Sequence, residues 1–449
     1  MTALVGIAAP NRDVDLNTMA AKIAHRGAAL SIFHQSSSTI GLLLPQHAQQ
    51  PAADSIVYMA GAGRGHFAAA RIEKGALSLS RGQIGFAPLY FGYDDENILL
   101  FASEVKALLP FTREISELPP GSTYLDGKIR PPQPIESGIL LQLPSAEIAN
   151  ELRRLLDLAV RLRAETAPDY GSLLSGGLDS SVITALARQY NSRLHTFAAG
   201  VAGAPDLLYA RQAADFLGCQ HHERVVSLKE MLTVLPDVIY HMESFDALLT
   251  RSSILHYLAS QLAKDYVPAL FSGEGGDELF AGYDYLKTLS LTDLPAELED
   301  ITARLHNTAL QRVDRCIQAH GIIGWVPILD PEVMAYARRI PADLKMHKGV
   351  EKWILRQAAA PLLPEGIMNR PKAKFWQGGG VSTLLAEHAD QTISDGDFNH
   401  ERRIQNGWLL NSKEELLYYR MFREHFGDLQ QLDWMGRTKG APVQYPPTA

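Results

Sequence analysis

A chain of 449 residues is long enough for two or three domains, and 46% hydrophobic with 20% charged residues suits a globular protein with sizeable cores. The 42 basic and 50 acidic residues leave a formal net charge of −8, which argues against a nucleic-acid partner or an anionic membrane surface. No apolar run approaches the roughly 18 residues of a membrane span. No basic-then-apolar leader pattern opens the sequence, and Cys219 and Cys316 lack metal-ligand spacing, so a reducing cytoplasmic setting is expected.

Residues 1–130 read as β-rich with little helix. Met1–Ala8 is a short apolar strand, and Leu16–Ala24 is a helix ending at His25-Arg26-Gly27. Arg81–Tyr93 and Phe101–Leu108 are apolar segments punctuated by Gly and Pro. These segments resemble a class II glutamine amidotransferase domain, the N-terminal-nucleophile glutaminase attached to asparagine synthetases. The family pattern begins Met-Cys-Gly-Ile, with the cysteine as nucleophile. Here position 2 is Thr2, and the family's Asn-Gly-Glu strand has no counterpart between Gly27 and Arg81. A terminal threonine can act as a nucleophile with its own amine as base, but without the glutamine-binding strand the expectation is a degenerate glutaminase. His25, Arg26 and Gly27 are then expected as structural or interdomain contacts.

Repeated prolines from Pro131 to Pro144 mark an extended linker, so the expected division is 1–130, a linker at 131–147, and a second domain over 148–449. Ser145 is placed to cap the next helix, whose Ile148, Leu152, Leu155, Leu156, Ala159 and Leu162 recur at helical spacing and read as core.

The stretch Leu173–Ser181 is the most informative. Tyr170–Leu174 reads as a buried strand end, two glycines free the backbone, and Val182–Tyr190 reads as a helix. A strand–Gly turn–helix aims backbone N–H groups at one point, where the helix dipole also favours an anion. Ser175, Ser180 and Ser181 add hydroxyls, and Asp179 adds a carboxylate suited to Mg²⁺. The Gly-x-x-x-x-Gly-Lys-Ser/Thr spacing of a P-loop is absent. Ser175-Gly176-Gly177-Leu178-Asp179-Ser180-Ser181 resembles the loop of N-type ATP pyrophosphatases, which split ATP between its α and β phosphates.

Downstream, Leu194–Gly200 reads as the next strand, Leu207–Leu217 as a helix and Val267–Phe271 as another strand. Such alternation predicts an α/β fold with a doubly wound parallel sheet, whose ligands bind beyond the strands' carboxyl ends. After Phe271 comes a second Gly-rich loop, Ser272-Gly273-Glu274-Gly275-Gly276-Asp277-Glu278. Facing the first loop, it would let Asp179 and Asp277 share Mg²⁺ on the phosphates, with Glu274 left as a general base.

These segments, with Tyr240–Asp246, Thr250–Ser253, Val326–Asp330, Glu351–Arg356, Arg370–Lys372 and Ser412–Arg420, resemble the synthetase domain of the asparagine synthetase B family. The resemblance covers nearly all of residues 150–440. It implies a degenerate Ntn-type β-sandwich followed by an ATP pyrophosphatase domain with a helical C-terminal part. It implies ATP contacts at Leu174, Ser175, Gly176, Gly177, Asp179, Ser180, Ser181, Ala199, Ser272 and Gly273, with Asp179 and Asp277 as Mg²⁺ ligands. Lys372 would lie against the α phosphate, and Glu274 would take a proton from the attacking amine. Arg251, Lys352, Asp206 and Glu278 are further candidates for substrate binding.

The expected reaction is adenylation of a carboxylate by ATP, releasing pyrophosphate, followed by amide formation and loss of AMP. The aspartate β-carboxyl or a close analogue is the expected acid, with ammonia or an amine as nucleophile rather than glutamine. Alternatives are a β-lactam synthetase-like ligase or cyclase and an inactive ATP-binding regulator. A homodimer and an ammonia-donating partner protein stay open.

Overall fold

The computed structural model describes residues 3–35, 37–44, 57–73, 75–132, 138–370, 378–381, 383–405 and 407–438. Short strands separated by turns build the first 130 residues: β1 (Ala3–Ile7), β2 (Ala29–Gln35), β3 (Ser38–Leu44), β4 (Val57–Gly63), β5 (His66–Glu73), β6 (Ala76–Arg81), β7 (Tyr90–Tyr93), β8 (Leu99–Ala102), β9 (Ile115–Glu117), β10 (Thr123–Leu125) and β11 (Lys128–Arg130). They form two antiparallel sheets, ordered β2-β3-β1-β8-β7-β9 and β11-β10-β6-β5-β4. Both faces of β1 are covered, and its two-residue alternation divides the cover. Leu4 packs into the layer between the sheets with Ile40, Ala68 and Phe101. Ala3, Val5 and Ile7 face the other way, toward helix α1 (Asp13–Lys22) and residues of the C-terminal half. Gly6 is required because a Cβ there would sit 2.0 Å from the Phe101 ring. The β-sandwich expected for this region is present.

Helix α2 (Ser145–Ala164) begins at the expected cap residue, so its cap lies one residue earlier. Pro144 occupies the cap position with no side-chain hydrogen bond, and Ser145 is already helical, so the capping role assigned to Ser145 is corrected. The fixed φ of proline preorganises the entry instead. Ile148, Leu152, Leu155, Leu156 and Ala159 are buried as the spacing predicts, whereas Leu162, near the helix end, is only part-buried. Arg163, in the last turn, is buried too, because its Nη1 donates to Asp330 at 2.9 Å.

A five-stranded parallel sheet follows: β12 (Gly171–Leu173), β13 (His195–Gly200), β14 (Gln220–Val225), β15 (Ala269–Phe271) and β16 (Ile323–Trp325), in the order β14-β13-β12-β15-β16. The chain winds outward from β12 to β14, then returns to lay β15 on the opposite side of β12. The winding direction therefore reverses between β12 and β15, the position where doubly wound sheets open a crevice at their carboxyl ends. Helices α3 (Leu178–Tyr190), α4 (Pro205–Leu217), α5 (Leu228–Met242), α6 (Ala247–Ala263), α7 (Gly276–Phe280) and α8 (Leu294–Ala303) surround the sheet.

One more helix, α9 (Ala309–Gln318), is polar by composition, yet every residue from Leu310 to Gln318 is buried. Its charges are paired inside the protein. Arg315 meets Glu104 and Glu243, each at 2.8 Å. Asp314 receives Arg26, whose guanidinium also pairs with Glu104, and His25 Nε2 lies 3.0 Å from the same carboxylate. Lys106 closes the cluster between Glu104 and Glu243. Burial opposes the charge on Glu104, but Arg26, Arg315 and Lys106 together hold its pKa well below the ordinary carboxylate value. His25 and Arg26 are thus built into a structural junction between the two halves. Removing one partner from such a cluster leaves buried carboxylates uncompensated. Arg315→Met is expected to destabilise the protein by about 3–5 kcal/mol, measured as a shift in the denaturant midpoint at unchanged m-value.

Candidate active site

The chain leaves β12 through Leu174, whose N–H donates to Phe197 of β13 at 2.9 Å, keeping the loop on the sheet edge. Gly176 turns it with φ +68°, and a Cβ there would lie 2.3 Å from the Tyr209 carbonyl carbon. Glycine is the residue that meets both demands. Gly177 is the N-cap of α3 and makes no side-chain cap bond. Ser175 and Ser180 fasten the loop to itself, with their hydroxyls 3.1 Å apart and the Ser180 hydroxyl donating to the Gly177 carbonyl at 3.1 Å.

The second loop leaves β15, the neighbouring strand, and meets the first backbone to backbone. A Cβ on Gly273 would stand 2.5 Å from the Ser180 nitrogen, and one on Gly276 would stand 2.4 Å from the Asp179 carboxylate carbon. Gly282 is equally constrained, because its Cβ would overlap Asp277 and the Lys352 stem at 2.0 and 2.1 Å. These close approaches bring two carboxylates to one cation. The Lys352 ammonium pairs with Asp179 and lies 2.6 Å from Asp277 Oδ1. Burial opposes its charge, yet the two carboxylates raise its pKa above the ordinary lysine value. Lys352 also holds a left-handed backbone, φ +54°, immediately before the Trp353–Ala359 helix. Such backbone strain in a non-glycine residue persists only where its surroundings fix it.

Around this centre lies a cavity of about 230 Å³. Of the residues singled out from sequence, Leu174, Ser175, Gly177, Asp179, Ser180, Ala199, Ser272, Gly273, Glu274, Asp277, Glu278, Lys352 and Asp206 line it. Three do not. Gly176 turns toward Tyr209, and Ser181 is fully buried behind the loop. Arg251 is engaged by Glu414, which also accepts from the Tyr418 hydroxyl at 2.6 Å; that pairing secures the Lys413–Phe426 helix. Lys372 and Thr2 lie outside the described residues.

Two cations that hold acids in place, Arg312 and Arg370, were not assigned to the site from sequence. Arg312 of α9 pairs with Glu274 and donates to the Ser252 hydroxyl at 2.8 Å. Burial works against the Arg312 charge, but Glu274 outweighs it and raises the pKa. Arg370 donates to the Ser175 carbonyl at 2.8 Å, pairs with Asp206 and stacks 4.3 Å from the Tyr209 ring centre. His256 also lines the cavity, and burial with Arg312 nearby holds its imidazole neutral, well below its usual pKa. Glu278 is buried and accepts from the Tyr283 hydroxyl. Burial first, then the Asp277 charge, pushes its carboxyl up to about 7.

Among the described residues no group of three or more His, Cys, Asp or Glu is arranged to hold a metal by itself. Two carboxylates converging on one cation position suit a hard divalent ion that completes its shell with phosphate oxygens and water, as Mg²⁺ does. The donor set therefore fits.

Family comparison agrees with this geometry. The asparagine synthase model matches residues 151–300 and 296–441, and the glutamine amidotransferase domain model matches residues 36–110. Asparagine synthetase B [glutamine-hydrolyzing] of Escherichia coli (strain K12) is 37% identical over 378 residues, covering 79% of this chain and 68% of that protein. This chain belongs to the asparagine synthetase family. A probable asparagine synthetase [glutamine-hydrolyzing] of Schizosaccharomyces pombe is 34% identical over 397 residues, covering 79% and 70%. Asparagine synthetase [glutamine-hydrolyzing] 2 of Arabidopsis thaliana is 34% identical over 376 residues, covering 77% and 64%. Membership makes the chain a carbon–nitrogen ligase of a family that uses ATP as substrate to form amides from small molecules. No described helix is long and apolar enough to cross a membrane.

The raised Glu278 carboxyl has a consequence for stability. Between its ordinary value of 4.5 and about 7, the folded protein holds a proton that the unfolded chain releases. Stability therefore falls as pH rises through that window and stays lowered above it. Thermal unfolding should show Glu278→Gln gaining melting temperature over the unaltered protein at pH 8, with the gain gone at the acid end of the window.

Proposed function

We propose that this chain adenylates a carboxylate with ATP, with the aspartate β-carboxyl or a close analogue as the acid, and then forms the amide with ammonia or an amine rather than glutamine. The observation that carries this reading is the meeting of two loops from adjacent strands, which brings Asp179 and Asp277 to one cation position with Glu274 beside it. A carboxylate oxygen attacks the α phosphorus, and the bond to the β-phosphate oxygen breaks. Pyrophosphate then leaves along the Ser175–Ser180 loop, where the α3 N-terminus faces it. Asp179 and Asp277 would hold Mg²⁺, which neutralises phosphate charge when bound. Glu274, oriented by Arg312, accepts the proton lost by the nitrogen as it attacks the acyl carbon, and AMP departs.

Lys372 is assigned to the α phosphate and the oxyanion by family resemblance. Arg370 supports the assignment, because it is fastened to Ser175 and Asp206 two residues earlier. We take residues 1–130 as the degenerate glutaminase-like unit, 131–147 as the linker and 148–449 as the synthetase unit. The glutamine-independent reading is supported by the cysteines: Cys219 and Cys316 are the two in the chain, both beyond that unit. Burial also pushes both thiols up, to about 11 and about 12, away from nucleophilic use.

The test is incubation with Mg-ATP and L-aspartate, supplying glutamine, ammonium chloride or no nitrogen source, with AMP, pyrophosphate and asparagine read by mass spectrometry. Asparagine with ammonium and none with glutamine is expected. Asparagine from glutamine would overturn the nitrogen assignment, and no pyrophosphate under any condition would overturn aspartate as the acid. Asp179→Asn and Lys372→Ala should each abolish pyrophosphate release while circular dichroism stays unchanged. Near-normal turnover in either variant would remove that residue from the site.

A further inference from the structure

Helix α9 reaches two places at once. Arg312 is on the cavity, paired with Glu274 and Ser252. Arg315 follows three residues later, one helical turn or roughly 5 Å along the axis, and is fixed by Glu104 and Glu243. Asp314 between them is fixed by Arg26. Two of these anchors, Arg26 and Glu104, belong to the β-sandwich half. The third, Glu243, accepts the backbone N–H groups of Val105 and Lys106 at 3.1 and 2.8 Å, so it too is tied to that half. Arg26, Glu104, Glu243, Arg312, Asp314 and Arg315 are buried, and an arginine held at its neighbouring turn has little freedom to withdraw from Glu274.

We infer that Arg26 and Glu104 of the β-sandwich half are positioning residues for amide formation, acting through α9 by holding Arg312 against Glu274. This rests on the ligase reading above. The half that resembles a glutaminase thereby serves the synthetase site without any glutaminase chemistry. Its contribution falls on one step. Adenylate formation uses Asp179 and Asp277 of the two loops, whose shared cation is Lys352. Proton removal from the incoming nitrogen uses Glu274.

The experiment separates the two steps in the full-length protein. Carboxylate-dependent exchange of labelled pyrophosphate into ATP, with L-aspartate, reads the first. Asparagine formation with ammonium chloride reads both together. Glu104→Gln, which keeps shape and removes charge, is expected to leave exchange within about twofold and to lower amide formation about tenfold. Because a lone charge removed from a buried cluster can prevent folding, the charge-balanced Glu104→Gln/Lys106→Met variant is measured beside it, with the same outcome expected. Equal loss of both steps in the two variants would mean a merely structural junction, and unchanged amide formation would mean no coupling; either overturns the inference. Absence of exchange in the unaltered protein would overturn aspartate as the acid, and this inference with it, before any variant is compared.

Discussion

The structure depends on a polar helix placed where polar helices are costly. Burying the charges of Arg312, Asp314 and Arg315 in α9 removes each from water, a penalty that only close partners offset. The partners come from four separate stretches of sequence: Arg26 and Glu104 from the sandwich, Glu243 from the end of α5, and Glu274 from the second loop. A hydrophobic helix of the same size would pack at less electrostatic risk, but it would accept many registers and rotations. Paired charges accept one. The position of Arg312 relative to Glu274 is therefore set by the same interactions that join the halves.

Charge pairing also explains how acids crowd the cavity without repelling the fold apart. Asp179 and Asp277 share Lys352, Glu274 has Arg312, and Asp206 has Arg370. Glu278 has Tyr283 as its hydrogen-bond donor, and burial first, then the Asp277 charge, raises its pKa. A polyphosphate with its cation would redistribute these pairs rather than create them. The glycines make this possible, since at Gly276 and Gly282 any side chain would fill the space that the carboxylates and Lys352 use, and at Gly273 it would meet the Ser180 backbone.

The loops were legible in the sequence because backbone geometry demands glycine at fixed places between an apolar strand and a helix. The parallel sheet was legible for the same reason, with strand ends displaced by one or two residues: β12 begins at Gly171 and β15 at Ala269. Arg251, a candidate for substrate binding, is instead paired with Glu414, and that partner was not legible because it lies 163 positions away. Arg312 and Arg315 were missed for the opposite reason. A ten-residue segment alternating Arg, Asp and Arg reads as a solvated, salt-bridged surface helix. The available signal was the spacing of Leu310, Val313 and Ile317, an apolar stripe too good for a fully exposed helix.

The same packing bears on why a glutaminase-like half persists in a chain whose cysteines both lie outside it. Ala3, Val5, Ile7 and Leu100 share one continuous core with Met231, Leu235, Leu255 and Tyr418 of the C-terminal half. Ile84 and Phe86 join the core built by α2 and α3. Deleting the sandwich would expose these surfaces as a broad apolar patch, would take Arg26 from Asp314 and would leave Arg315 with Glu243 but without Glu104. Loss of a nucleophile costs one reaction. Loss of the domain would cost the fold of the synthetase itself, so the two kinds of change are under unequal physical constraint, and the half is held in place by its core and its ion pairs whatever its own chemistry.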